Sequence, residues 1–335
     1  MARALTKDRI MEDIYFFLHT DDFEFVQTLD GLKGYDFRHP QLNWVWSTYY
    51  RLKQKGWANI HLVDKIPEKG IIVMSSNQGS VFQKFPKDLF VILTVADSPP
   101  WFYTQVNISQ NPSQHSDYPN VFGFPIWKHI PHWPQPNIIP RNRERGDTFE
   151  NITFFGDRSQ LAPELKGAEF ISALTKLGLK FQIIEREFND YSGVDAVIAI
   201  RSFSKNKILN KPYSKLINAW AGGVPIVTGM ESSFQSVKDS ELDFIAVETM
   251  DELINALGRL KENKLLRQQM VANGMQRSKE FTDEKILGIW ENLLFADAQV
   301  WYKKWLEKTT AGRKLFYADL FLSRFFRSVK KRIAK

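Results

Sequence analysis

Lys211-Pro-Tyr-Ser-Lys-Leu-Ile-Asn-Ala-Trp-Ala-Gly-Gly-Val-Pro-Ile-Val-Thr-Gly-Met-Glu231 reads as a short helix, a glycine stop and a buried strand. Pro212 and Ser214 suit the start of a helix. Leu216, Ile217 and Trp220 give it an apolar face, and Gly222-Gly223 end it before the run Val224 to Val227. Lys215 then falls in the first turn. There its ammonium joins the free backbone N–H groups at the positive end of the helix, an arrangement suited to a diphosphate. An ordinary αβ unit with a solvated lysine is the alternative.

The segments around this stretch repeat its pattern. From Asn151 the sequence predicts strand 152–155, helix 161–177, strand 180–184 and strand 196–200. After the opening stretch come strand 244–247 and helices 250–261, 265–280 and 283–306. Strands alternating with helices imply right-handed crossovers and a doubly wound sheet. The first half shows short apolar runs at 13–18, 60–63, 70–74, 89–96 and 106–109, which suit buried parallel strands. Residues 41–55 carry Leu42, Trp46, Tyr49 and Tyr50 at helical spacing, most simply a helix covering the sheet. Seven prolines between Gln110 and Asp147 leave no regular element expected there. The domains expected are therefore 1–140, a linker 141–150, a second αβ domain 151–300 and a tail 301–335. Two such domains would place ligands in a cleft at the carboxyl ends of their strands.

Composition narrows the classes. The 335 residues, 43% hydrophobic, suffice for two cores. Cysteine is absent, which excludes disulfides and thiolate metal sites and fits a reducing compartment. The N-terminus lacks a signal-peptide core and no run is apolar enough to span a bilayer, so a cytoplasmic, non-spanning protein is expected. The net charge of +7 concentrates in Val300 to Lys335, which carry +9 and leave −2 for the rest. A near-neutral body argues against nucleic acid, and the basic tail favours an anionic surface. In that tail Leu315, Phe316, Leu320, Leu322, Phe325, Phe326, Val329 and Ile333 alternate with Arg324, Arg327, Lys330, Lys331 and Arg332. As a helix, residues 313–335 would lie in an anionic membrane interface at the inner face of the membrane, or pack on the protein itself or a second copy.

Tyr213-Ser-Lys-Leu-Ile-Asn-Ala-Trp-Ala-Gly-Gly-Val-Pro-Ile-Val resembles the donor-site helix and strand of the GT-B glycosyltransferases, in which family 4 enzymes carry Glu-Ala-Met-Ala-Cys-Gly-Val-Pro-Val. It is also similar to the Thr-Glu-Lys-Leu helix of the family 10 fucosyltransferases. His132-Trp-Pro-Gln-Pro, Ile139-Pro-Arg, Arg145-Gly-Asp and Phe154-Phe-Gly-Asp resemble a group of bacterial glycosyltransferase-like proteins over most of the chain. The resemblance implies an α/β protein of two Rossmann-like doubly wound domains facing across a cleft, with a C-terminal basic amphipathic helix. It implies transfer of a sugar from a nucleotide-diphosphate donor to a glycan or lipid-linked acceptor in cell-envelope polysaccharide or lipopolysaccharide synthesis. Lys215 matches the lysine of Thr-Glu-Lys-Leu that contacts the donor diphosphate. Asn210 and Asn218 stand where family 4 enzymes carry the two glutamates of Glu-x7-Glu, so Asn218 is left to bond a ribose hydroxyl. A non-catalytic member of the fold, serving as a membrane-associated scaffold, remains the alternative.

Other donor-site candidates follow from their places after strands. Arg158, just past Phe155-Gly-Asp, and Arg201, past strand 196–200, could grip a phosphate. Ser202, Ser204, Lys205 and Lys207 make the second loop polar and basic. Tyr213 and Ser214 open the helix, and Glu231 closes the stretch as a contact to the donor sugar. With no Asp-x-Asp motif, electrostatic stabilisation of the leaving diphosphate by these cations is expected without a metal or other cofactor, the nucleotide sugar being a co-substrate. His115, His129 and His132 match no ligand spacing. For an acceptor base, His19 and Asp97 end first-half strands and are the candidates. Neither a dinucleotide glycine fingerprint nor a phosphate-binding Gly-x4-Gly-Lys loop is present.

Overall fold

The computed structural model describes residues 11–32, 39–81, 88–101, 104–117, 125–204 and 208–333. Contacts within the chain divide it into two units, Met1–Ile130 with Glu284–Lys335, and Pro131–Asp283. The first crossing therefore precedes the linker expected at 141–150. The chain also returns to the first unit at 284, where the sequence placed the end of the second domain at 300. Both differences have a physical reason. Ile139 pairs with the Asn189 to Tyr191 turn and Arg141 with Asp195, so 138–150 is structure of the second unit. The Glu291 carboxylate accepts from Lys55 Nζ and Trp57 Nε1, both at 2.7 Å, and Phe295 stacks on Trp57, so 284–300 belongs to the first.

The first unit holds a parallel six-stranded sheet. Its strands are β1 (Ile14–Phe17), β2 (Ile60–Val63), β3 (Lys69–Ser75), β4 (Asp88–Thr94), β5 (Val106–Ser109) and β6 (Ile126–His129), in the order β2-β1-β3-β4-β5-β6. Alternate residues serve opposite faces, so Phe16 meets Tyr49 on one side while Phe17, Ile72, Met74 and Val91 form a cluster on the other. Helix α1 (Thr20–Gln27) follows β1. Helix α2 (Ser47–Gln54) follows a π-helical turn, Leu42–Trp46, the two together filling the helix expected over 41–55. Strand β6 lies in the proline-rich segment where no regular element was expected. Pro125 precedes its first residue and Pro131 follows its end, so no proline removes an amide from the ladder with β5.

The second unit holds a parallel five-stranded sheet of β7 (Asn151–Phe155), β8 (Lys180–Ile184), β9 (Ala196–Ala199), β10 (Ile226–Thr228) and β11 (Ile245–Ala246), ordered β11-β10-β9-β7-β8. Ile152, Phe154 and Ile198 enter one core cluster and Phe155, Val197 and Ala199 another, so both faces are covered as a doubly wound sheet requires. The helix expected over 161–177 begins late. Residues Pro163–Lys166 form a 3-10 turn, and helix α3 (Ala168–Lys176) starts only after Gly167. Then come α4 (Ser214–Ala221), the single turn α5 (Ser232–Gln235), α6 (Met250–Glu262) and α7 (Lys264–Ser278).

Back in the first unit, the helix expected over 283–306 is split by a π-helical turn, Leu293–Asp297, into α8 (Asp283–Asn292) and α9 (Ala298–Leu306). The tail is a 24-residue helix, α10 (Thr310–Ile333). No helix among the described residues is long and apolar enough to cross a membrane.

Candidate functional site

In the second sheet β7, β9 and β10 are neighbours, so the residues that follow them meet at one edge. Gly156 leaves β7 with φ +141°. A Cβ there would stand 3.1 Å from Lys215 Nζ and 3.3 Å from Phe154 Cε1. The lysine thus folds back from the first turn of α4 onto the end of β7, its ammonium 5.1 Å from the centre of the Phe154 ring. The Tyr213 side chain makes no capping hydrogen bond to α4, whose start is the positive end of the helix dipole.

Arg158 is exposed in the next turn, its amide donating to Glu185 Oε1 at 3.0 Å. Asp157 caps that turn through Ser159, a hydrogen bond that holds its carboxyl below the ordinary value. Lys166 Nζ approaches Ser159 O at 3.5 Å, adding a third cation to this edge. Lys166 was not among the expected site residues. Lys166-Gly167 just before a helix was the available signal.

Arg201 and Glu231, expected to touch different parts of a donor, are paired with each other. Their side chains are 10% and 4% exposed, so the pair is desolvated. Glu231 Oε2 accepts from Arg201, whereas Oε1 is buried without a hydrogen-bond partner among the described residues. The Arg201 guanidinium is therefore committed largely to this carboxylate. Lys205 and Lys207 lie outside the described residues, and Ser202 and Ser204 bond each other at 2.9 Å.

Two expected donor contacts take other positions. Tyr213 is 2% exposed and edges against Phe281, and burial pushes its phenol far up from 10, which makes it a core residue. Asn218 is buried and its Oδ1 accepts from the Gln135 amide at 3.0 Å, pinning the segment before β7 to α4. Ser214, half-buried, opens α4 as expected.

In the first unit His19 is exposed after β1, its ring 5.5 Å from Phe17, and its carbonyl accepts from Phe23. Asp97 is exposed after β4, where Ala96 has φ +44°, and its Oδ1 accepts from Gln110 Nε2 at 2.8 Å. Only β3 separates their strands, so both sit at the carboxyl edge of that sheet. His129 ends β6. Burial lowers it to about 4 against the opposing pull of the Ser109 carbonyl 3.0 Å away, so it is neutral at pH 7. No group of three or more His, Asp or Glu able to hold a metal occurs among the described residues.

A cavity of about 340 Å³ lies at the other, amino end of the second sheet, against Arg141, Asp195, Lys264 and Arg267. Its charges are spent internally. Arg141 and Arg145 both bond Asp195, and Lys264 bonds Asp147. It is a structural void beside the segment that leads into β7 rather than a donor site.

No protein-family model and no curated protein sequence matches the chain. Solved structures do. HepE from Anabaena in complex with UDP superposes with a TM-score of 0.51 at 13% identity, covering 84% of this chain and 99% of that one. The same protein with UDP and glucose gives 0.50. The GtfA/B complex gives 0.49 at 12% identity over 76% of this chain, which spans 60% of the length of that one. With its two parallel Rossmann-like sheets the chain has the GT-B fold.

Proposed function

We propose that this GT-B protein is a metal-independent glycosyltransferase that moves a sugar from a nucleotide-diphosphate donor to a glycan or lipid-linked acceptor in cell-envelope polysaccharide or lipopolysaccharide synthesis. The observation that carries the reading is Lys215, held over Gly156 in the first turn of α4 with Arg158 and Lys166 in the adjoining turns. As the bond from the anomeric carbon to the donor diphosphate breaks, negative charge grows on the departing oxygen. Fixed cations and helix amides stabilise it most there. His19 or Asp97 would take the proton of the acceptor hydroxyl, each exposed at a strand end of the first unit. Glu231 Oε1 would accept from a sugar hydroxyl, which would relieve its unpaired burial. A protein working on such acceptors would sit peripherally at the inner face of the membrane.

A second reading, a non-catalytic scaffold, draws on the internal pairing of Arg201 with Glu231 and on Asn218 being occupied by Gln135. Titration of UDP, GDP and ADP by calorimetry separates the two. UDP leads the panel because the HepE structures contain it. The enzyme reading expects one diphosphate to bind and Lys215→Ala to weaken it. Absence of binding by all three would leave the scaffold.

A further inference from the structure

Helix α10 carries apolar residues on two faces, and one of these faces is packed into the first unit. Phe316, Tyr317 and Leu320 are buried, with Phe316 and Tyr317 edging against Trp305 at 5.3 and 5.8 Å. Gln105 Nε2 donates to the Tyr317 hydroxyl at 3.1 Å, and Arg313 pairs with Asp88 at 2.6 Å. These contacts fix the first turns of α10 to β4 and to the approach of β5. At about 100° per residue, Leu315, Leu322, Phe325 and Val329 fall on the opposite side of the helix. All are exposed, Leu315 by 71%, Phe325 by 55% and Leu322 by 50%.

We infer that α10 is a two-sided strap: its inner face ties it to the first unit, and its outer face, with the turns beyond Leu320, inserts into the interface of an anionic bilayer. Charge decides between lipid and a second copy. The turns from 321 to 333 contain Arg324, Arg327, Lys330, Lys331 and Arg332 and no acid. Two such helices side by side would repel, whereas anionic headgroups attract them. The helix is about 36 Å long, too charged to span and well shaped to lie in the interface plane. The inference deepens the peripheral placement proposed above and uses none of the donor-site residues.

The test takes the full chain and vesicles of phosphatidylcholine, with and without phosphatidylglycerol. The chain has no cysteine, so Leu322→Cys accepts a single environment-sensitive fluorophore. Its emission should shift to the blue with the mixed vesicles only. Lys330→Gln and Lys331→Gln should each lower partitioning roughly fivefold. Leu322→Asp with Val329→Asp should lower it at least about tenfold. UDP titration of the same variants should be unchanged, which separates loss of the lipid contact from loss of folding or of the donor site. Equal emission with both vesicles, or equal partitioning of the Asp variant, would overturn the inference. So would a concentration-dependent dimer that the Asp variant abolishes, which would assign the outer face to a second copy.

Discussion

Replacing Lys215 by methionine removes one charge while keeping a stem that can still lie over Phe154. In the structure the ammonium is held at the end of β7 by that ring, 5.1 Å away, so it is placed before any ligand arrives. Little side-chain ordering would then offset its contact with a diphosphate. A hydrogen bond to a charged group is worth about 1.5–3 kcal/mol. At 1.4 kcal/mol per factor of ten, the dissociation constant of the preferred nucleoside diphosphate should rise by about ten- to a hundredfold. The corresponding nucleoside, which has no phosphate, should lose nothing. Calorimetry on both ligands gives the ratio directly, and raising the salt should narrow the gap between wild type and variant, since the lost term is partly exposed electrostatics. Equal losses for nucleoside and diphosphate would mean that the substitution had damaged the fold. No loss for either would show that α4 does not hold the diphosphate, and the argument from Gly156 and Lys215 would fail.

Gly156→Ala should weaken diphosphate binding as well, because its Cβ would press on Lys215 Nζ at a backbone angle of +141°, whereas Gly167→Ala, whose Cβ would meet only the Glu164 carbonyl at an ordinary 3.7 Å, should bind normally in the same titration. Equal behaviour of the two alanines would count against the close approach. Asp195→Ala should destabilise the protein by about 3–5 kcal/mol in urea unfolding, since it leaves Arg141 and Arg145 without their shared buried carboxylate; a loss below ~1 kcal/mol would show that the pair is solvated. Burial alone would raise that carboxyl, but bonds from Arg145, the amides of Asn151 and Glu150, and Arg141 hold it below the ordinary value, so its contribution persists until strongly acid pH. His129 acts at milder pH. Its value near 4 in the folded protein lies below the ordinary 6.5, so the unfolded chain takes up the proton first and stability falls as pH drops from 6.5 towards 4, by about 3 kcal/mol in all. His129→Gln should flatten the melting temperature across that range, and an unchanged slope would refute it.

The strands were legible because each is a short apolar run with its own punctuation. The two at 60–63 and 106–109 occur as read. Strand β6 was hidden because Pro125 and Pro131 were read as breakers, although both stand just outside the ladder where proline costs nothing. Lys215 could be placed from helix phase alone. The partners of Arg201, Glu231 and Asn218 could not, since those bonds join residues 30 and 83 positions apart, a matter of how β9, β10, α4 and the segment before β7 come together. The contact division at residues 130 and 283 was not legible for the same reason. Nothing local in Asp283 to Leu306 announces that Glu291 will meet Trp57.

That return has a consequence for biogenesis. The second unit is one continuous segment, complete once residue 283 has been made. The first unit is not, because Trp57, Lys55, Gly70 and Asp88 meet their partners Glu291, Phe295, Tyr302 and Arg313 only after the whole second unit has been made. Emerging from the ribosome, the chain would close its second unit first and carry an unfinished first sheet until the helices after residue 283 arrive. A stop codon between residues 284 and about 300 would therefore damage the first unit and leave the second whole.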